Sequence, residues 1–336
     1  MPLDPRAKRF LDTLAASGAA NTLALTVEQR RRSLAQLLSF AGPLPTVGGV
    51  EERTFPRPAA SLRVRIYAPA GVGSHEVLPG LVYFHGGGLV AGSLETHDGI
   101  CRALAAASRC RLLSVDYRLA PEHSFPAAID DGLAATGWVA THAAELGLDP
   151  DRLGVCGDSA GATLAAVVCQ SAAAFGQPRL ACQFLLCPIM DYAAESDSRR
   201  SLAQGYLIDR ATLEHDLRHY LGPEADRADR ADPRVSPLRA PGVMNLPPTV
   251  IHTAEFDPLR DEGAAYAERL RAAGVKITYR CHPGMIHLFY GLGALIPYAG
   301  AAFGLMGADV RSLMAKPART MIRAGRELED ERAPPG

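Results

Sequence analysis

Short apolar runs recur along this chain at intervals that mostly leave room for one helix between neighbours. They are residues 81–84 (LVYF), 111–116 (RLLSVD), 153–156 (LGVC), 182–187 (CQFLLC) and 249–254 (TVIHTA). A continuous apolar run of this length suits a strand covered on both faces. Helix-compatible stretches fall between them at 98–108, 127–146 and 160–175, and another at 262–273 leads to a further strand at 275–279. Residues 62–68 instead alternate, with Leu62, Val64 and Ile66 on one face and Arg63 and Arg65 on the other, as in a half-buried strand. Strand and helix in this alternation predict an α/β class with a doubly wound, mostly parallel sheet.

Two stretches stand outside the rhythm. Residues 1–45 read as partly amphipathic helix, with Leu11, Leu14, Leu23, Leu25, Leu34 and Leu38 as apolar positions. Thr26, followed by Glu28 and Gln29, has the form of a capping box. Residues 191–246 show no buried strand and carry many charges. The expected organisation is therefore 1–48 as N-terminal helices forming part of a cap and 49–190 as core. The segment 191–246 is an inserted cap piece, 247–325 is the core continued, and 326–336 is a frayed tail.

Chemistry concentrates at two motifs. Gly157-Asp-Ser-Ala-Gly161 fits G-x-S-x-G and lies between a strand and a helix, the context a nucleophile elbow needs. In a chain with 32 glycines a chance match is the alternative, and the placement argues against it. His85-Gly-Gly-Gly88 follows the strand at 81–84. Consecutive glycines let backbone N–H groups approach a substrate oxygen, and the Ala160 N–H after the serine adds a further donor.

A nucleophilic serine needs a base, and the base an orienting acid, in chain order Ser, acid, His. Of the histidines after Ser159, His215 and His219 are expected on the surface of the cap segment, His252 in packing within a strand, and His282 at a strand end. His287, in a loop beyond Pro283 and Gly284, is the expected base. Asp257 is the expected acid, with Glu255 the alternative and Asp261 a cap or surface charge on the next helix.

These pieces, with Asp116-Tyr-Arg-Leu-Ala-Pro-Glu-His123 and Gly284-Met-Ile-His287, resemble the hormone-sensitive lipase family of α/β-hydrolases, in its GDSAG branch. The resemblance spans about residues 80 to 290, in the family's order. It implies an eight-stranded, mostly parallel sheet under a helical cap. It places the triad at Ser159, Asp257 and His287, and the oxyanion donors at Gly87, Gly88 and Ala160, with Gly86 supporting the turn. Asp158 and Glu255 are expected beside the reacting groups, and His85 as a hydrogen-bonding support of the oxyanion loop. Leu89 and Leu288 stand where the family often has other residues, and both are expected in pocket walls.

The implied activity is hydrolysis of short to medium acyl esters of small molecules, without cofactor or metal. An amidase or N-deacetylase on the same triad is one rival, and a non-catalytic receptor on the same fold another. A lipase at oil interfaces is disfavoured because the cap segment offers no long apolar stretch. Net charge is −1, from 35 Lys+Arg against 36 Asp+Glu, so no basic field draws in nucleic acid. No transmembrane run or apolar signal core is read, and the seven cysteines show no paired spacing. A cytoplasmic protein is expected, and the resemblance allows a homodimer.

Overall fold

The apolar runs become the strands of one sheet. The computed structural model of the chain describes residues 1–17, 22–56, 61–73, 76–222 and 226–315. Two helices come first, α1 (Pro5–Ala16) and α2 (Val27–Leu38), then strands β1 (Gly49–Phe55), β2 (Leu62–Ala68) and β3 (Leu78–Phe84). The alternating part follows: α3 (Asp98–Ser108), β4 (Arg111–Val115), α4 (Ala127–Thr141), β5 (Leu148–Asp158), α5 (Ala160–Phe175) and β6 (Cys182–Leu186). Three helices, α6 (Asp197–Ser201), α7 (Arg210–Leu221) and α8 (Arg227–Arg230), precede β7 (Thr249–Phe256), α9 (Arg260–Ala272), β8 (Ile277–Ile286) and α10 (Tyr298–Met314).

The eight strands lie in the order β1-β2-β4-β3-β5-β6-β7-β8. β2 is antiparallel to both its neighbours, and every pairing from β4 through β8 is parallel. Successive side chains of a strand face opposite sides of the sheet, so each buried strand feeds two cores. Val82, Phe84, Val155 and Leu185 pack on one face with residues of α4, α5 and α9. Leu81, Tyr83, Cys156 and Phe184 pack on the other with α3 and α10.

The chain leaves β3 for β4 on one side and then crosses to β5 on the other. In open α/β sheets the crevice at such a reversal, outside the carboxyl ends of the strands, is where ligands bind. Here the strand ends at that crevice carry His85-Gly-Gly-Gly88 and Ser159.

Some elements differ from expectation. β1 was not anticipated because every residue but Phe55 is exposed, so it carries no burial period; pairing with β2 holds it. α10 was not anticipated either. β5 starts earlier than its apolar run, and β8 continues through Pro283 and Gly284 to Ile286. That extension matters. A register shift after Ala254 sets Phe256 opposite Ile286, so the next residues, Asp257 and His287, emerge side by side.

His215 is a correction: it is buried, not surface-facing. Its Nδ1 bonds the Asp216 carboxylate at 3.0 Å and its Nε2 the Leu25 carbonyl at 3.1 Å, which ties α7 to the N-terminal segment. The tail expected to fray lies outside the described residues. Among the described residues, no helix is long and apolar enough to cross a membrane.

Candidate active site

Ser159 sits in the tight turn between β5 and α5 at φ 54°, ψ −124°, a conformation that costs an L-residue energy. Its N–H donates to the Leu186 carbonyl at 2.8 Å, which fixes the turn on β6. The flanking glycines are required by contact. A Cβ at Gly157 would stand 2.3 Å from the Gly161 carbonyl oxygen, and one at Gly161 would stand 2.1 Å from that of Phe84. The hydroxyl therefore stands at the N-terminus of α5, where the helix dipole favours negative charge.

Ser159 Oγ lies 3.1 Å from His287 Nε2, and His287 Nδ1 lies 2.7 Å from Asp257 Oδ2. A carboxylate only accepts, so Nδ1 carries the proton and Nε2 is left to accept from the serine. The other Asp257 oxygen takes the Leu259 N–H at 2.9 Å. Asp257 is completely buried, and Ser159 and His287 are 9% and 3% exposed. Glu255 does not reach the imidazole. It accepts the Gly284 N–H at 2.7 Å and so holds the end of β8 that carries His287. Asp261 accepts the Ser198 N–H at 2.7 Å, which ties α9 to α6. His252 and His282 bond each other at 2.9 Å, away from the serine.

The loop of Gly86, Gly87 and Gly88 rests on Asp158. This buried carboxylate accepts from the Gly86 N–H at 2.9 Å, the Tyr290 hydroxyl at 3.2 Å and the Tyr83 hydroxyl. Gly86 thus spends its N–H on the turn. Gly87 and Gly88 have φ of 116° and 70°, and among the described residues their N–H groups and that of Ala160 make no hydrogen bond. His85 Nδ1 donates to the Gly86 carbonyl at 2.8 Å, and the Tyr117 hydroxyl donates to the His85 carbonyl at 2.6 Å. Burial, reinforced by the neighbouring His97, lowers the pKa of His85 to about 4, so its ring is neutral near pH 7. Burial also lowers that of His97, to about 3, and raises that of Asp158.

A cavity of about 420 Å³ opens on Ser159, His287, Gly87 and Gly88. Its walls come from α1 and α2 (Phe10, Leu14, Leu34, Leu37), from α7 (Thr212, Leu213, Asp216), and from Ile189, Tyr192, Leu207 and Ile208. Leu288 lines it too. Leu89 does not: it is buried at φ 63° in the core cluster with Val90 and Tyr117, so the expectation that it forms pocket wall is corrected.

Sequence reasoning missed several neighbours of this site. Cys187, the last residue of the apolar run 182–187, stands beside the buried Asp257 carboxylate. Burial first, then the charge of Asp257, pushes its pKa well up and keeps it a thiol. Cys187, Asp257 and His287 bring ligand-type atoms within 4.8 Å of one another. Two of them already bond each other and the third stays protonated, which does not suit a metal ligand set. His97, Arg30 and Asp216 also line the cavity, and nothing in their local sequence points there.

A family model described as the alpha/beta hydrolase fold matches residues 81–291. The chain belongs to the α/β-hydrolases of the hormone-sensitive lipase type. This hydrolase is 41% identical to a carboxylesterase, NlhH, of Mycobacterium tuberculosis, over 90% of its own length and 93% of that protein's. It is 35% identical to an arylesterase of Saccharolobus solfataricus, with 87% of this chain and 93% of that one covered. Among solved structures, a thermostable esterase from Pseudomonas putida superposes with a TM-score of 0.88 at 34% identity, covering 94% of this chain and 99% of that one.

Proposed function

We propose that this hydrolase cleaves carboxylic esters through an acyl-enzyme on Ser159. The carrying observation is the unbroken hydrogen-bond chain from Ser159 Oγ through His287 to Asp257. His287 Nε2 takes the serine proton as Oγ attacks the ester carbonyl. Asp257 fixes the tautomer and stabilises the imidazolium. The carbonyl oxygen, now negative, lies on the N–H groups of Gly87, Gly88 and Ala160, each such donor typically worth about 3 kcal/mol. The imidazolium protonates the leaving alcohol, and water, activated by the same base, releases the acid.

The substrates proposed are esters with short to medium acyl chains, since apolar walls close over the serine within about 420 Å³. The cap proposed comprises residues 1–48 and 191–246, whose side chains supply most of those walls. The proposed location is the cytoplasm and the proposed assembly a homodimer, which light scattering tests.

Replacement of the nucleophile tests the assignment. Ser159→Ala is expected to abolish ester hydrolysis and labelling by a fluorophosphonate, with an unchanged circular dichroism spectrum. Labelling that persists at another serine overturns it.

A further inference from the structure

A carboxylate stands against the oxyanion loop. A Cβ built on Gly88 would lie 2.0 Å from Asp216 Oδ2, so the acid packs directly on the Gly88 backbone. Asp216 lies on α7 and is buried, and both it and Gly88 line the catalytic cavity. A negative charge so close to the donors of an oxyanion opposes the charge that develops in the transition state.

A guanidinium offsets it. Arg30, on α2, donates from Nε to Asp216 Oδ1 at 3.1 Å and from Nη2 to Oδ2 at 2.7 Å, a bidentate pair whose side chains are only 12% and 7% exposed. His215 adds the bond to Oδ1 already described. Arg31, the next residue, does different work: it bonds the Val90 and Ala120 carbonyls and pairs with Glu122, clamping α2 to the core.

We propose that Arg30 is a positioning residue for the oxyanion site, neutralising and holding the Asp216 carboxylate that packs on Gly88. The competence of the oxyanion loop then depends on the docking of α2, because α2 brings the compensating charge. This rests on the assignment of Gly87 and Gly88 as oxyanion donors.

The test is a charge cycle on Arg30→Gln, Asp216→Asn and the double variant. It reads kcat and KM on a p-nitrophenyl ester, thermal midpoints, and the rate of Ser159 labelling by a fluorophosphonate. Arg30→Gln leaves the carboxylate at the loop without its guanidinium, with the His215 bond still in place. Its kcat is expected to fall on the order of 10-fold or more, with KM moving much less. Asp216→Asn removes the offending charge and is expected to lose far less than Arg30→Gln. The double variant is expected to regain at least about fivefold over Arg30→Gln, as buried charge removed in pairs is better tolerated than in halves.

A merely structural latch predicts the opposite order, since all three variants break the pair and the double breaks it most completely. A double variant as slow as Arg30→Gln, or an Asp216→Asn as slow, overturns the proposal. If Arg30→Gln does not fold, a double variant tenfold slower than Asp216→Asn also overturns it, because Arg30 would then act without its partner. Retained labelling of Ser159 with no dependence on this charge rejects the present inference alone. Loss of labelling at Ser159 in the wild-type enzyme rejects the catalytic assignment instead.

Discussion

Asp257 and Glu255 stand two residues apart at the end of the same strand, and only one of them meets the imidazole. The register shift between β7 and β8 sends Asp257 to His287, while Glu255 takes the Gly284 N–H on the rim. Asp257→Asn is expected to lower kcat by roughly 10³–10⁴-fold, because an amide no longer holds the productive tautomer. Glu255→Gln is expected to cost far less, through a loosened β8 end. Steady-state kinetics of both variants on one ester decide it, and a larger loss in Glu255→Gln reverses the roles. The meeting of Ser159, His287 and Asp257 was legible because a local motif marks the serine and chain order limits the partners. Arg30 and Asp216 were not legible, since they meet across 186 positions of sequence and no local pattern marks either one. The thiol of Cys187 was hidden for another reason: in an apolar run a cysteine reads as a small hydrophobe.

At the scale of elements, α2 is worth more than its length suggests. Its first turn is closed by a capping box, in which Gln29 N–H donates to Thr26 Oγ1 at 3.2 Å and Thr26 N–H to Gln29 Oε1 at 2.8 Å. Glu28 and Gln29 both follow Thr26 within a turn, and it is Gln29, at the third helical position, that closes the box. From that start the helix presents Arg30, Leu34 and Leu37 to the cavity. Thr26→Ala is expected to lower stability by about 1 kcal/mol. A drop in the thermal midpoint with kcat largely kept is the expected result, and an unshifted midpoint means the box contributes nothing. The same local chemistry explains what could not be read. β1, holding Glu51, Glu52 and Arg53, buries only its last residue, so hydropathy gives no sign of a strand that exists through its pairing.

For the whole molecule, the order of the strands sets where the crevice opens, and two outlying segments line it. Helices from the N-terminal segment and from the segment between β6 and β7 line one crevice, leaving a cavity of about 420 Å³ with mostly apolar walls. Each acyl methylene buried there gains about 0.8 kcal/mol until the chain outgrows the space, after which overpacking costs about 1–3 kcal/mol. The rate is therefore expected to rise from acetyl toward butyryl or hexanoyl esters and then fall, with a maximum at roughly eight carbons or fewer. A series of p-nitrophenyl esters at fixed pH, with kcat/KM for each, checks this. A maximum at about twelve carbons or more, or activity that jumps only above the solubility limit, points to lipase behaviour and overturns it.

The backbone at residue 159 has one further consequence, and it concerns evolution rather than mechanism. A serine is kept at φ 54°, ψ −124°, where a glycine would sit without strain. Ser159→Gly and Ser159→Ala remove the same hydroxyl, but only glycine also relaxes the turn. The glycine variant is expected to melt above the alanine variant by the equivalent of roughly 1 kcal/mol. Equal midpoints would mean the surrounding structure absorbs the conformation at no cost. If the difference is found, a lineage bred only to survive heat would drift toward glycine at this position. The serine persists there only while something selects for turnover.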